Sequence, residues 1–244
     1  MFTNIKDNLT IIIPTYNEEN YIEKTITSIA KQNNIKGTTV IVSDGFSSDK
    51  TREIVNKLIT KYKDIINLQL IDGGRVATGR NNGAKLVKTK YILFLDADSP
   101  VLDHNNITYN LNLMNNKKLH LLTCKVKSVG DDIRTDISFR IFNIINKIIS
   151  LKTPFAYGGY FLTQTNKFFE YGMFDETLNN SEDYHLSKKY KPNKFHISKM
   201  KYGQDDRRFK KMGYLGMLKL IILNFINKDK IEWFKRDVGY WKNN

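Results

Sequence analysis

Residues 91–98 read YILFLDAD, and this stretch decides the class of fold. A continuous apolar run of this length is typical of a strand that is buried on both faces of a sheet. Asp96 and Asp98 cannot remain in such a core, because burying an unpaired carboxylate is very unfavourable. We therefore expect both carboxylates at the carboxyl end of the strand, where open α/β sheets bind their ligands.

The spacing of the two carboxylates also indicates a chemistry. Carboxylate oxygens are preferred ligands of Mg2+ and Mn2+, and such ions usually accompany the phosphates of a substrate. Because an Asp-x-Asp pattern is short, an ordinary turn that contains aspartate remains the alternative for residues 96–98.

Apolar runs alternate with helical patterns over the first hundred residues. Strands are predicted at 9–14, 38–42, 67–71 and 91–95, and helices at 18–32, 48–62 and 76–86. This alternation predicts an α/β fold with right-handed crossovers and a mainly parallel sheet flanked by helices. The alternation then loosens: helices are predicted at 104–115 and 133–152, strands at 119–127 and 158–163, a short helix up to residue 189 and a largely helical tail at 213–241.

The composition excludes several classes of protein. The 244 residues are 41% hydrophobic and 12% aromatic, which is typical of a globular chain. The single cysteine, Cys124, allows no intrachain disulfide and favours a reducing compartment. The net charge of +14 would suit a nucleic acid, an anionic membrane or a phosphorylated ligand. A general enrichment in Lys, Asn and Ile would produce the same charge without a functional role.

Charged residues recur where predicted strands end. Asp44 follows the second strand, residues 75–80 follow the third, and residues 96–98 follow the fourth. Because parallel strands share one carboxyl edge, we expect these groups to converge. Glu182 and Asp183 open a later helix, where acidic side chains are also stabilised by the helix dipole alone.

The order of the motifs resembles the family 2 glycosyltransferases, which have the GT-A fold. The matching segments are IIPTYNEE at 12–19, VSDGFSSDKT at 42–51, GRNNGA at 79–84, FLDAD at 94–98, GMFDE at 172–176 and EDY at 182–184. The resemblance covers roughly residues 9–212. It implies inverting transfer of a sugar from a nucleotide diphosphate donor, usually with Mn2+ or Mg2+, to a glycan, protein-linked or lipid-linked acceptor.

The resemblance also implies a division of the chain. We expect a GT-A domain at 1–212, with a nucleotide-binding half at about 1–98 and an acceptor-binding half at 99–212. A C-terminal helical extension follows at 213–244.

The resemblance assigns roles to individual residues. Asp183 is predicted as the general base that takes the acceptor hydroxyl proton, and Glu182 as the residue that orients it or binds the acceptor. Residues predicted to bind the nucleotide sugar are Pro14, Thr15, Glu18, Asp44, Arg75, Gly79, Arg80, Asp96, Ala97, Asp98, Gly158, Gly159, Arg207 and Arg208. Asp44 would accept a hydrogen bond from the uracil of a UDP-sugar, and Gly158 and Gly159 would leave room for the sugar.

Metal binding is expected from the same acidic pair. Asp98 is predicted as the direct metal ligand and Asp96 as a ribose contact that reaches the metal through water. His196 is a further candidate ligand, with a plain surface histidine as the alternative. Arg207 or Arg208 would clamp the diphosphate, or would belong to a solvated charge run.

The apolar stretch at 214–226 is too short to span a membrane. It would pack on the domain, form a homodimer contact or, with the 133–152 helix, lie on a membrane surface between flanking lysines. We therefore expect a cytoplasmic enzyme that does not bind nucleic acid, with association to a membrane surface as the alternative to a fully soluble protein. The other hypotheses are an inactive nucleotide-sugar-binding module and a basic protein that binds nucleic acid or a membrane surface.

Overall fold

The computed structural model describes residues 4–236, apart from the side chains of Leu218 and Phe225. The strands are β1 (Leu9–Thr15), β2 (Thr38–Asp44), β3 (Ile66–Asp72), β4 (Tyr91–Phe94), β5 (Leu121–Ser128), β6 (Phe161–Gln164) and β7 (Phe195–Gln204). The helices are α1 (Ile22–Ala30), α2 (Thr51–Tyr62), α3 (Val76–Lys85), α4 (Asn106–Asn116), α5 (Ile133–Ile149), α6 (Thr165–Glu170), α7 (Glu182–Ser187), α8 (Arg207–Ile226) and α9 (Ile231–Phe234).

The seven strands form one sheet in the order β3-β2-β1-β4-β6-β5-β7. The first four of these are mutually parallel. β6 runs antiparallel to both β4 and β5, and β7 pairs in parallel with β5. Six strands therefore point the same way, and the predicted mainly parallel α/β sheet is confirmed.

The sheet buries apolar side chains on both faces. Ile11 and Ile13 of β1 pack with α1, α2 and α4 on one face, whereas Ile12 and Phe94 face a second cluster that includes α3 and α6 residues. Successive strand residues point to opposite faces, so an unbroken apolar run is needed to cover both. This requirement explains why the strand signals of this chain are continuous rather than alternating.

The ends of the first elements differ from the sequence prediction. β1 and β2 extend to Thr15 and Asp44, because their last residues still pair with each other. α1 begins at Ile22 instead of residue 18, because the Glu18 amide donates to the Thr51 hydroxyl and residues 18–21 form a turn.

The sequence prediction missed β7 and α6. In β7, Ser198 and Tyr202 are buried while Lys199 and Lys201 are exposed, a period of two that the sequence does contain. The carboxyl end of β7 meets the segment that follows β4, where Ser99 bonds to Gln204.

The C-terminal helix begins earlier than predicted, at Arg207, and its path breaks at Gly213. This glycine has φ 70 and ψ 158, a conformation that an L side chain would strain. α9 returns to the body of the protein, where the Phe234 carbonyl accepts a hydrogen bond from the Asn179 amide. The part of the predicted tail after residue 236 lies outside the described residues.

Helix α5 is amphipathic as predicted, but its apolar row does not pack on the domain. Six isoleucines and Leu151 on or just after it are exposed. Within residues 4–236, no helix is long and apolar enough to cross a membrane.

Candidate active site

The acidic residues predicted at strand ends do meet at one edge of the sheet. Thr15 and Asp44 are paired neighbours at the ends of β1 and β2, and the Gly45 amide donates to the Thr15 carbonyl at 2.7 Å. Asp96 and Asp98 follow β4, which pairs with β1 on its other side. Pro14 and Thr15 therefore lie between the two acidic groups, as the predicted convergence requires.

Asp44 is fully buried and is held by three donors. Its carboxylate accepts hydrogen bonds from the Ser47 amide at 3.0 Å, from the Ser47 hydroxyl at 2.5 Å and from Arg52 at 2.9 Å. Arg52 also contacts Asp72 at the end of β3. Asp44 thus fixes the turn after β2.

Arg80 lies at the centre of a buried ion-pair network. Its guanidinium is 2% exposed and donates to Asp96 at 2.5 Å and to Glu182. The guanidinium also stands over the ring of Phe174, 5.1 Å from the ring centre. The sequence predicted that Arg80 contacts the donor. In the structure its guanidinium instead links Asp96, which follows β4, to Glu182 at the start of α7.

Gly158 is required by the close approach of Arg80. A Cβ at this position would lie 2.0 Å from a guanidinium nitrogen of Arg80, so no other residue fits without moving it. At Gly159 a Cβ would meet the Tyr202 ring at 2.5 Å. The sequence predicted that these two glycines leave room for the sugar. In the structure, Arg80 and Tyr202 occupy the space next to them.

Asp183 sits beside this network at the start of α7. It accepts hydrogen bonds from the Gly158 amide at 2.8 Å and from the Tyr184 amide at 2.7 Å. Burial and the neighbouring Glu182 charge raise the pKa of Asp183 to about 7, although Arg80 and the two amides oppose the shift. A carboxylate with such a pKa can accept a proton near neutral pH.

A second arginine joins the other two acids of the site. Arg207, at the first residue of α8, donates to both oxygens of Glu18 at 2.8 and 2.6 Å and to Asp98 at 2.8 Å. Its guanidinium is 21% exposed and stands over the ring of Tyr21. Burial and the Asp98 charge raise the pKa of Glu18 to about 7, although the hydrogen bond from Arg207 opposes the shift.

The remaining predicted contacts are more loosely placed. Arg75 is exposed and donates to the Asn179 side chain, and Arg208 is half-buried beside Arg207. Ala97 is buried between the two aspartates. Gly79 faces Ser43 and Pro14, and a Cβ there would make nearly ordinary contacts. The packing of the protein therefore does not require a glycine at this position.

The structure does not bring His196 to the acids. His196 pairs with Leu122 near the start of β7, whereas the opposite end of β7 lies at the site. Three strand spacings separate β7 from β4, which is about 14 Å. We therefore omit His196 from the metal site that the sequence predicted.

The residues that could hold a metal ion are the carboxylates after β4. Among the described residues, no group of three or more His, Cys, Asp or Glu side chains is arranged as a complete metal site. Asp96 and Asp98 supply the hard oxygen atoms that Mg2+ and Mn2+ prefer. Both side chains bind an arginine in this structure, so a metal ion would need further ligands from a bound substrate.

Sequence reasoning missed the residues that support this edge. The Ser99 hydroxyl donates to Gln204 at the end of β7, at 3.2 Å. Asn81 donates to Glu176 and to the Phe174 carbonyl, which ties α3 to the segment before α7. Asn81 and Glu176 both lie inside family motifs, at 79–84 and 172–176, but the motifs do not show that the two side chains bond to each other.

Comparisons with known proteins agree with the family resemblance and with the fold. The model of the family described as Glycosyl transferase family 2 matches residues 10–178. The chain is 35% identical over 111 residues to the teichoic acid poly(glycerol phosphate) polymerase of Staphylococcus epidermidis. That match covers 45% of this chain and 15% of the relative.

Two solved structures share the fold. A crystal structure of S. aureus TarS in complex with UDP-GlcNAc has a TM-score of 0.62 and 24% identity, covering 81% of this chain and 58% of that one. The mannosyltransferase PcManGT from Pyrobaculum calidifontis, in complex with GDP-Man and Mn2+, has a TM-score of 0.65 and 18% identity, covering 81% and 56%. The likeness confirms the predicted GT-A fold, and this chain spans less than two thirds of each protein named.

Proposed function

We propose that this chain, which belongs to glycosyl transferase family 2, moves a sugar from a nucleotide diphosphate donor to an acceptor hydroxyl with inversion at the anomeric carbon. A UDP-sugar is the favoured donor, and the acceptor is a glycan, a protein-linked or a lipid-linked sugar. The fold similarity to proteins in complex with UDP-GlcNAc and with GDP-Man supports a nucleotide-sugar donor.

The observation that carries the proposal is an excess of negative charge at the sheet edge. Five carboxylates meet there, those of Glu18, Asp96, Asp98, Glu182 and Asp183, and Arg80 and Arg207 bond to four of them. The charge of Arg208 also acts on Glu18, which still leaves more carboxylates than guanidiniums. Buried carboxylates without matching cations are unfavourable, and the raised pKa values of Glu18 and Asp183 reflect this. A divalent cation and a proton-accepting Asp183 would both relieve the excess.

Asp183 would serve as the general base. In one step, the acceptor oxygen gives its proton to Asp183 and forms a bond to the anomeric carbon, while the bond from that carbon to the diphosphate oxygen breaks. The nucleoside diphosphate leaves on the opposite face, so the configuration inverts. The Gly158 and Tyr184 amides hold the carboxylate in place, and Glu182 is fixed beside it by Arg80.

Asp98 and Asp96 would hold the metal ion together with donor oxygens. When bound, Mn2+ or Mg2+ would neutralise the departing diphosphate as a Lewis acid. The donor base would lie near Pro14, Thr15 and Asp44, and Asp44 would accept a hydrogen bond from a ring N–H. Arg207, which bonds Asp98 at the acidic edge, and its neighbour Arg208 would contact the diphosphate.

The test is a donor screen on the purified chain with Mn2+, comparing UDP-, GDP- and dTDP-sugars. Donor binding is measured by calorimetry, and hydrolysis or transfer by release of the nucleoside diphosphate. Asp98→Ala is expected to lose metal-dependent donor binding. Asp183→Asn is expected to keep donor binding while turnover falls about 10²–10⁴-fold, because only the proton acceptor is removed.

Asp103→Asn is a matched control, since this carboxylate accepts a hydrogen bond from the Asn105 amide just before α4 and is not one of the five carboxylates of the site. Donor binding without turnover in the wild-type protein, with every acceptor class offered, would favour the inactive binding module. A wild-type protein that binds none of the donors, with or without Mn2+, would contradict the transferase proposal.

A further inference from the structure

Helix α5 carries a row of large apolar side chains that no described part of the protein covers. The row consists of residues that are 45–76% exposed, namely Ile133, Ile137, Ile141, Ile144, Ile145, Ile148 and Leu151. Their spacing places them on one face of the helix. The opposite face is anchored, because Asn143 donates to and accepts from the Val126 backbone of β5. The row is therefore held outward by a rigid support.

Helix α8, which adjoins α5 near its own start, carries exposed apolar side chains of its own. The two helices adjoin where the Phe139 and Phe209 rings lie 5.5 Å apart and where the Thr135 and Tyr214 hydroxyls bond at 2.7 Å. Between residues 213 and 226 no described side chain is buried, although the segment is rich in leucine and isoleucine. We call the α5 row together with the exposed α8 residues Leu215, Ile221, Ile222 and Ile226 the α5–α8 face.

The charge around this face is strongly positive. Residues 207–236 contain nine Lys or Arg and two Asp or Glu, so 30 residues carry +7 of the chain's net +14. The basic excess is thus concentrated in the segment that forms half of the α5–α8 face. A compositional bias spread evenly over the chain would not concentrate the charge here.

We propose that the α5–α8 face docks on the interface of an anionic membrane. Helices with an exposed apolar row and flanking lysines lie in the plane of the headgroups, with the apolar side inserted and the cations near anionic lipid. A second copy of this chain fits less well, because a symmetric contact would bring two +7 segments together.

Docking would also place the site near the lipid surface. Phe142 of α5 packs on Tyr157, with 4.6 Å between ring centres, and Phe155 packs on Tyr184 at 5.1 Å. Tyr157 and Tyr184 are the immediate neighbours of Gly158 and Asp183. This consequence, that a lipid-linked acceptor reaches Asp183, rests on the proposed function, whereas membrane docking does not.

The test is flotation of the purified chain with vesicles of phosphatidylglycerol and phosphatidylcholine, against vesicles of phosphatidylcholine alone. The wild-type protein is expected to float with the anionic vesicles and to bind them at least tenfold more tightly than the neutral ones. The double variant Ile141→Glu, Ile145→Glu should lose at least tenfold in binding, because it places carboxylates in the inserted row. Both side chains are exposed, so the fold should persist, and circular dichroism checks this.

Leu86→Glu is the matched control. Leu86 is 54% exposed and follows α3, outside the α5–α8 face, so its variant should bind vesicles within twofold of the wild type. The proposal fails if folded wild-type protein ignores anionic vesicles at low salt, or if the double variant binds them equally well. It also fails if light scattering shows a dimer that only the double variant abolishes, since a second copy would then cover the face.

Discussion

Arg80 and Arg207 each neutralise a pair of carboxylates in the site, but Arg80 is buried more deeply than Arg207. Each guanidinium joins two carboxylates that the sheet edge brings together. Arg80 lies within α3, is almost fully buried and faces Asp96 and Glu182. Arg207 is the first residue of α8, is partly exposed and faces Glu18 and Asp98.

The difference indicates which half of the site is fixed. Arg80 cannot leave without unpacking α3 from the sheet, so the part of the site near Asp183 is rigid before any ligand arrives. Arg207 stands at a helix end in contact with water, and Asp98, which it binds, is the predicted metal ligand. Under the proposed function, the donor would therefore bind in the half of the site that is held by the more easily opened ion pair.

The largest effect is expected from Arg80→Met, which should lower the free energy of unfolding by about 3–5 kcal/mol, measured by urea denaturation. Removing this cation leaves Asp96 and Glu182 without their shared partner in a buried site. Arg140→Met is the control: Arg140 pairs with Asp136 on an exposed helix surface, so its loss should cost under about 1 kcal/mol. Equal costs for the two variants would contradict the fixed role of Arg80.

An intermediate effect is expected in the pH dependence of stability from Glu18. Its folded-state pKa of about 7 lies above the ordinary value of 4.5, so the folded protein binds this proton more tightly than the unfolded chain. The contribution is fully present below about pH 4.5 and is lost as the pH rises to 7, at a cost of up to about 3 kcal/mol.

Glu18→Gln should reduce this fall between pH 4.5 and 7 in denaturation curves measured at several pH values. The fall that remains is the contribution of Asp183, whose pKa is also raised to about 7. Glu53→Gln, which changes an exposed carboxylate, should leave the fall as it is in the wild-type protein. If the Glu18→Gln curve keeps the wild-type slope, then Glu18 is ionised throughout and its pairing with Arg207 is tighter than its pKa indicates.

The smallest effect is expected from Arg207→Met, about 1–2 kcal/mol in the same urea experiment. Water can reach the carboxylates when the start of α8 moves, and Glu18 can take up a proton near neutral pH, so their charge is relieved more easily than beside Arg80. A loss as large as that of Arg80→Met would show that both halves of the site are equally fixed.

The prediction from sequence succeeded where a local pattern is tied to a strong physical constraint. The run at 91–95 had to be a buried strand, and Asp96 and Asp98 had to leave the core, as the structure confirms. It failed for β7, whose period-two pattern is weak next to the lysine-rich background around Lys199 and Lys201. Helix ends such as the start of α1 also moved, because contacts with a distant loop decide them.

Residue roles were harder to predict than residue positions. Asp44, Asp183 and the glycines at 158–159 do lie at the predicted edge, but the partners of these groups come from far along the chain. Arg80 bonds Glu182, which is 102 residues away, and Arg207 bonds Glu18 across 189 residues. Sequence spacing does not show which residues meet across such separations. For the same reason, the sequence did not show that His196 lies at the opposite end of β7 from the acids.

The amino-acid sequence alone determined the family, the α/β sheet and the gathering of acids at one edge, because apolar periodicity and the cost of buried charge act locally. The tertiary structure decided which cation neutralises which carboxylate and which pKa values rise, since both depend on distances between remote segments. It also decided that the isoleucines of α5 face outward, because an amphipathic pattern does not show whether the domain itself supplies a cover.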